Sequence, residues 1–458
     1  MVFSISLSIQ IIGVIMEKCY RIVYQSFDKS DPEKVIEEKT LLEDALTIPT
    51  NCLDVSMGLE NQIKLIQSAQ DAILSGKFEG LYEGGCSCPK CQGKMVKDGT
   101  HTSTLHDVLT DHKVKIQRVK CKDCCYEPPS TIRTLLNTTQ TGDLKKIQAT
   151  LGANFTFRES EKVLELFSCG SRRVNNHDRV KQVTEAVGNK LGEINEAEKE
   201  LIAAPEAEEL IVNVDGGHIK TTEDKRSMEA MTSVVYDPKA VCTNSKDTRN
   251  YLSSKNCAAS VKDDDQKQII SGTIIAALKQ GLTEKTHVTA LCDGAENCWN
   301  VVESLRPLCG SMTCILDWFH LAMKLENISL PEKLKSKLLR IKWHLWRGNI
   351  DKALTRLDEL ILEAKQEKHI ERIKKFAIYI NNNKDRIVNY EERKEAGLVF
   401  TSNLAESTVE SLINRRCKGQ QHMRWSREGL NPILQLRAAI SSNNDWTKKW
   451  KDAVLNTL

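Results

Sequence analysis

The sequence has almost no net charge. Its 458 residues carry 65 Lys and Arg against 62 Asp and Glu, a balance of +3. Overall charge therefore neither implies nor excludes a nucleic-acid partner, and any such case must rest on local patches. A membrane span is also lacking. The early apolar run at residues 2–16, VFSISLSIQIIGVIM, is shorter than the roughly 20 residues needed to cross a bilayer core. No Lys or Arg precedes it and no small-residue cleavage site follows, so it does not read as a secretory signal. Translation starting at Met16, with MEKCYRIVYQSF, is the alternative, and a cytoplasmic protein is expected. Internal repeats and low-complexity segments are missing too. With 40% hydrophobic and 28% charged residues, the chain should be globular, with about two to four domains. A Walker loop, a nucleophile elbow and the zinc-protease helix pattern are absent, which leaves ATPase, lipase and protease readings without support.

Cysteine, by contrast, is plentiful. Six of the 16 cysteines fall between Cys86 and Cys125, a clustering that favours a metal site in a reducing compartment over a disulfide framework. Cys88 and Cys91 form one CxxC pair and Cys121 and Cys124 another, with 29 residues between the pairs. The intervening VKIQRVK alternates as a strand does. The pattern predicts a zinc ribbon in which four thiolates surround one tetrahedral Zn²⁺. Neighbouring Cys86 and Cys125 remain open as substitute ligands. Cys292, Cys298, Cys309 and Cys314 sit in apolar runs and are expected to be buried thiols.

Residues 56–77 have apolar positions at helical spacing and predict one amphipathic helix. Residues 143–196 read as helices with short breaks, including the turn SCGS. One reading is a helix-turn-helix whose second helix carries Arg172, Arg173, Asn175, Asn176, Arg179 and Lys181 towards DNA. A plain helical hairpin with a solvated basic face is the equal alternative. From Glu209 the period changes: LIVNVD, MEAMTSVVYD, IISGTIIAAL, HVTALCD and MTCILDWFH are expected strands, with a polar surface loop from Asp237 to Lys267. The expected fold class is α/β, with a mixed sheet of the RNase H-like kind. In that arrangement the first and fourth strands are neighbours. The predicted division is an N-terminal helical region at 1–80, a zinc ribbon at 81–130 and a helix-turn-helix-like region at 131–205. The catalytic core follows at 206–328, then a helical insertion at 329–398 and the rest of the core at 399–458.

Three acidic residues carry the chemistry. Asp215 in IVNVDGGH and Asp293 in VTALCDGAENCW each end a β-branched run and precede Gly, as when a buried strand delivers a carboxylate to a sheet rim. Glu406 lies on the helical segment TSNLAESTVESLINRR. Such a set suits two Mg²⁺ or Mn²⁺ ions about 3.5–4 Å apart, clamping the attacking and leaving oxygens of a phosphodiester. The bland readings are turn residues for the two Asp-Gly pairs and, for Glu406, a capping box with Asn403. Glu410, one turn later, shares nearly the same helix face, so helix phase leaves both glutamates open. Basic residues cluster next, in RRCKGQQHMRWSR. Arg415, Arg416, Lys418, Arg424 and Arg427 are candidates for phosphate contacts and Trp425 for base stacking. A solvated face anchored by a core tryptophan is the alternative.

DGGH, CDGAENCW, LDWFH and the run LAESTVESLINRRCKGQQHMRWSREGLNPILQLRA together resemble bacterial insertion-sequence DDE transposases of the ISKra group, relatives of the Mutator-type eukaryotic transposases. The resemblance runs from the cysteine pairs to about Arg437. It implies that the glutamate nineteen residues before the tryptophan of the MxW motif is the third ligand, which selects Glu406 by its spacing to Trp425. It also implies that Asp317 and His320 form a DxxH signature supporting the metal ligands from behind, as His218 of DGGH would. A satisfied core histidine is the bland reading of His320. The implied activity is cleavage at the terminal inverted repeats of an insertion sequence and joining of the ends to target DNA, by a homo-oligomer because two ends must be cut. The alternatives are a non-catalytic DNA-binding derivative of a transposase and an RNase H-like structure-specific nuclease.

Overall fold

The computed structural model describes residues 19–46, 51–52, 55–79, 81, 87–168, 170–198, 202–223, 226–246, 249–418, 423–443, 445–455 and 457. The apolar run at 2–16, the possible start at Met16 and Cys86 lie outside the described residues. The chain divides into two compact units, one formed by Met1–Ile147 with Glu161–Asn176 and Leu458, the other by Gln148–Ser160 with His177–Thr457.

The first unit opens on an antiparallel hairpin, β1 (Cys19–Asp28) and β2 (Asp31–Ala45). This corrects the expectation of a helical 1–80 region: RIVYQSF is rich in the β-branched and aromatic residues that favour strands. Helix α1 (Leu59–Glu79) follows, then a second hairpin, β3 (Met95–His106) and β4 (Asp111–Cys121), and α2 (Ile132–Leu136). Val114 and Ile116 alternate inward on β4. They close a small core with Leu105 and Ile132, against which Leu74 and Phe78 of α1 pack.

Helices α3 (Gly142–Asn154) and α4 (Phe157–Phe167) contribute residues to both units, and α5 (His177–Glu198) belongs to the second. The second unit is built on a five-stranded mixed sheet. Its strands are β5 (Glu209–Lys220), β6 (Ser227–Tyr236), β9 (Asn256–Ser260), β10 (His287–Cys292) and β11 (Ser311–Leu316), in the order β11-β10-β5-β6-β9. β10 runs parallel to both β5 and β11, while β5–β6 and β6–β9 are antiparallel. β7 (Val241–Thr243) and β8 (Asn250–Leu252) form a separate two-stranded ribbon. Leu210 to Val214 of β5 are all buried, as a central strand covered on both faces should be.

The third strand is not where the sequence suggested. IISGTIIAAL forms α6 (Lys267–Lys279), and the strand is NCAAS, inside the expected Asp237–Lys267 loop. An apolar run of this length fits either element by periodicity. The small residues decide it: a Cβ on Gly272 would lie 2.9 Å from Ala258 Cβ, so the helix approaches β9 closely. After α7 (Glu296–Glu303) and β11 come α8 (Trp318–Glu326), α9 (Glu332–Trp346), α10 (Ile350–Glu363), α11 (Glu367–Asn382) and α12 (Tyr390–Glu395). Trp346 and Tyr390 join this helical segment to the sheet end. Their rings pack with Trp318 and Phe400, and Tyr390 Oη donates to Leu316 O at 2.7 Å. The chain returns through α13 (Asn403–Val409), a π-turn at Glu410–Asn414, α14 (Arg415–Cys417), α15 (Arg427–Ser441) and α16 (Asp445–Leu455).

Helix α5 turns Val180, Val183, Val187 and Leu191 inward, where it packs on α15. Gly188 marks the closest approach: a Cβ there would stand 2.1 Å from Pro432 O. The obstacle is backbone and cannot rotate away. Gly188→Ala should therefore destabilise the protein by about 1–3 kcal/mol, the usual range for overpacking, despite the better helix propensity of Ala. Urea unfolding checks this, and an unchanged midpoint would show that the two helices separate at little cost.

Candidate active site

The parallel ladder pairs Val214 with Cys292, so the next residues, Asp215 and Asp293, emerge side by side. Their carboxylates and the imidazole of His320 offer ligand atoms all within 4.8 Å of one another. His320 lies on the first turn of α8, where its Nε2 stands 4.0 Å from Glu406 Oε2. Burial raises the proton affinity of Asp215, and nearby Asp293 adds to this; His320 and the Gly216 N–H oppose it. Burial also raises that of Glu406, with Asp215 as the next contribution. Both carboxyls are thus harder to ionise here than in water, chiefly because they are buried.

Several segments converge on Asp293. Its Oδ1 accepts from Ala295 N at 2.9 Å. Lys324, one turn after His320 on α8, has its Nζ 3.8 Å from Asp293 Oδ2 and 3.3 Å from Asp293 O. Tyr379 of α11 donates to the same carbonyl at 2.7 Å, and the Lys324 ammonium lies 4.2 Å from its ring centre. Gly294 has φ +93°, and a Cβ there would stand 2.6 Å from Tyr379. Both the left-handed backbone and the space require glycine.

Asp317 has a structural part. It is 1% exposed, caps α8 through Phe319 N, and accepts from Ser402 N at 2.8 Å and Ser402 Oγ at 2.6 Å. The Ser402 hydroxyl is therefore turned away from α13, which begins at Asn403 with Ser402 as its cap. This removes the expected capping box with Asn403. Glu406 is half-buried and faces His320, whereas Glu410 is exposed and bonded to Asn414. His218 is exposed on β5, opposite Glu229, and is not among the grouped ligands.

The four cysteines Cys88, Cys91, Cys121 and Cys124 also cluster, with all four sulfurs within 4.8 Å, and could hold a structural metal ion such as zinc. Their two turns match. Cys88 N donates to Gly93 O and Cys121 N to Tyr126 O, and the residue after each pair, Gln92 and Cys125, is left-handed at φ 61° and 60°. Cys125 thus occupies the turn after the second pair, outside the cluster. Backbone N–H groups of Cys124 and Asp123 help bring the Cys121 thiol down to about 7, while the neighbouring thiols help push those of Cys91 and Cys124 up. Cys292 and Cys298 are buried as expected, Cys309 and Cys314 only partly.

The basic candidates divide. Arg172, Arg173, Asn175 and Asn176 precede α5 instead of riding on it, with a 3₁₀ turn at Arg173–Asn175. Arg172 donates to the carbonyls of Asp107, Val108 and Thr110 and pairs with Asp111. Arg416 is 3% exposed, donates to Gly152 O at 3.2 Å and lies against the rings of Phe157 and Trp425. Both guanidiniums serve backbone carbonyls: Arg172 is not carried by a second helix towards DNA, and Arg416 is not the free phosphate contact expected of it. Trp425 bonds through its backbone to Lys220 and Thr222 and through its indole N–H to Cys417 O. Arg173, Arg415, Lys418 and Arg424 are exposed. The sequence reading missed Lys324 and Tyr379. The only signal for Lys324 was its i+4 spacing from His320.

Residues 145–452 match a family described as an uncharacterised protein family, UPF0236. Similar proteins come from Caldanaerobacter subterraneus subsp. tengcongensis. UPF0236 protein TTE0610/TTE0881/TTE1053/TTE2432 is 26% identical over 293 residues, 62% of this chain and 58% of the relative. UPF0236 protein TTE1650/TTE2708 is 26% identical over 293 residues, covering 62% and 56%. The chain thus spans less than two thirds of the length of the curated relatives it matches.

Two expectations follow. A carboxyl whose native proton affinity is raised costs stability as pH climbs from the unfolded value through the native one; below both, the cost vanishes. In metal-free buffer Asp215→Asn should melt above wild type at neutral pH, on the order of 1–2 °C, with the difference gone at about pH 3. A variant that melts lower at pH 7 would show instead that the carboxylate stabilises the fold. In the cysteine cluster, Cys88→Ser with Cys121→Ser should abolish one equivalent of bound zinc and loosen the β3–β4 hairpin, since thiolate sites assemble as a unit. Elemental analysis of wild type finding no zinc would refute this.

Proposed function

This chain belongs to the UPF0236 family, and from that premise and its paired strand-end carboxylates we propose that it is a DDE-type DNA transposase. It would cleave phosphodiesters at the ends of an insertion sequence and join the freed ends to target DNA. One observation carries the reading: ligand atoms of Asp215, Asp293 and His320 within 4.8 Å of one another, with Glu406 reaching the same imidazole. The strand order β11-β10-β5-β6-β9, three antiparallel strands followed by two parallel ones, fits an RNase H-like core. The relatives add support. One bears a name joining four designations and another a name joining two, and recurrence of one protein at several loci of a genome suits mobile DNA.

The residues present fit divalent cations. Carboxylate oxygens suit Mg²⁺ or Mn²⁺, and burial together with neighbouring acidic groups makes Asp215 and Glu406 costly to ionise without a cation. Asp215, Asp293 and Glu406 would hold the ions, which supply Lewis-acid stabilisation of the attacking and leaving oxygens. The chain does the rest. Asp317 fixes the start of the Glu406 helix, His320 spans from Asp317 to Glu406, and Lys324 and Tyr379 hold the Asp293 turn. Exposed Arg415, Lys418 and Arg424 are free to meet phosphates. The four-cysteine cluster would hold Zn²⁺ in a zinc ribbon and contribute to recognition of the terminal inverted repeats. Cutting two ends calls for a homo-oligomer. A non-catalytic DNA-binding derivative is disfavoured by the intact acidic set, and a nuclease reading differs by lacking strand joining.

The test is incubation of purified protein with Mg²⁺ and DNA carrying the sequences that flank its gene. Cleavage followed by joining is expected; cleavage alone would favour the nuclease, and the absence of cleavage would overturn the proposal. Within this assay Glu406→Gln should reduce cleavage by at least about a hundredfold, the upper range for loss of even a supporting residue at a metal site. Glu410→Gln should retain measurable activity. The reverse pattern would move the third ligand to Glu410.

A further inference from the structure

A cavity of about 450 Å³ opens in the second unit, away from the carboxylates. Its volume lies within the range of small-ligand sites, and its lining is mixed. Phe157, Met423 and Trp425 supply apolar and aromatic surface, Glu185 a carboxylate, and Lys181 and Arg424 cations at the rim. Arg416 is buried against both rings, 5.1 Å from the Phe157 centre and 4.9 Å from that of Trp425. This stiffens the aromatic wall. Glu185 is only partly engaged: Lys181 Nζ stands 3.9 Å from its Oε1.

The cavity lies in line with the candidate active site. β5 carries Asp215 and ends at Lys220; the next residue, Thr221, bridges to Trp425, and Thr222 forms part of the wall. At about 3.3 Å per residue the path from Asp215 to Thr221 covers roughly 20 Å, or about six nucleotides of B-form strand at 3.4 Å each. Between the two ends Lys418 lies over the strand, its Nζ 3.1 Å from where a Gly217 Cβ would stand. Cations thus mark the route: Lys418, then Lys181 and Arg424.

We propose that this cavity, walled by Phe157, Glu185, Arg416 and Trp425 with Lys181 and Arg424 at its rim, receives one nucleobase swung out of the DNA duplex. The inference rests on the reading of DNA as substrate. A flat aromatic base requires stacking surface on its face and a polar partner for its edge. Every base has an N–H donor on its pairing edge, for which the Glu185 carboxylate is the acceptor. The flanking phosphates would meet the rim cations. A base anchored there would set the distance between a distorted point in the duplex and the phosphate presented to the carboxylates.

The test uses the full chain in metal-free buffer with two fluorescent duplexes. In one, 2-aminopurine is fully paired; in the other it faces an abasic position and is already free to leave the stack. The expected result is about tenfold tighter binding of the second duplex, because its unpairing cost is absent, together with a change in 2-aminopurine emission on binding. Phe157→Ala and, as a variant that preserves shape, Glu185→Gln should each shrink that preference to about twofold. Circular dichroism establishes that both are folded. Equal affinity for the two duplexes, or a preference that survives both substitutions, overturns the proposal and leaves the transposase reading standing. If deoxynucleoside monophosphates quench Trp425 as tightly as the duplex binds, the cavity is a mononucleotide site and the proposal also fails. Failure to bind either duplex would overturn both readings.

Discussion

Two like charges are forced together by the register of β5 and β10, and much of the second unit is arranged around that cost. Once Val214 pairs with Cys292, Asp215 and Asp293 have no freedom to part. Unit charges 4 Å apart repel by about 4 kcal/mol at an effective dielectric of 20. The sheet outweighs this: five consecutive residues of β5, Leu210 to Val214, are buried, and each large apolar side chain among them contributes about 1.5–3 kcal/mol. The strand burial sets the register, and the carboxylates bear the consequence. Burial does most to raise the proton affinity of Asp215, and the neighbouring Asp293 adds to it.

Segments distant in sequence are recruited to hold the strained pair in place. Lys324 neutralises Asp293 from α8, Tyr379 reaches its carbonyl from α11, and Ser402 ties Asp317 to the start of α13. The helices between β11 and α13 are therefore more than a spacer. Through Tyr379 and through Asn383, whose Oδ1 accepts from the Trp299 indole N–H at 3.1 Å, they grip the turn after β10. A change within this segment would be felt at Asp293, with no contact to any substrate required.

The strand-end aspartates were legible in the sequence because β5 and β10 are buried on both faces, leaving an unbroken β-branched run that stops abruptly at a carboxylate. The same physics misled for IISGTIIAAL. A helix laid on a sheet is also apolar, and its use of Gly272 against β9 becomes visible only once the partner is known. The hairpin at Cys19–Ala45 was missed because helical composition elsewhere in residues 1–80 was extended over it. The cysteine pairs were legible by spacing. That Cys125 lies outside the cluster was not, because its exclusion depends on a left-handed turn. Charge was the least legible property, since sequence gives its sign but not its surroundings.

Arg416 and Arg437 show why. Glu159 exerts only a minor electrostatic pull on Arg416. Burial lowers the proton affinity of both arginines, that of Arg416 to about 10, and at neutral pH they remain charged. Their compensation is backbone. Arg416 donates to Gly152 O, and Arg437 to Ala153 O, at the C-terminal end of α3. There the helix leaves carbonyls without intrahelical partners and the dipole favours a cation. Arg437 also donates to Ser411 O and to Leu412 O, within the π-turn that begins at Glu410. A π-turn interrupts the regular ladder and tends to persist where something else satisfies the freed groups. One buried guanidinium thus secures both α3 and the irregular turn of the segment that begins with Glu406. The basic run after the glutamate helix therefore does two jobs that its sequence does not distinguish. Its buried arginine builds the platform, and its exposed cations, Arg415, Lys418 and Arg424, remain for whatever lies on that platform.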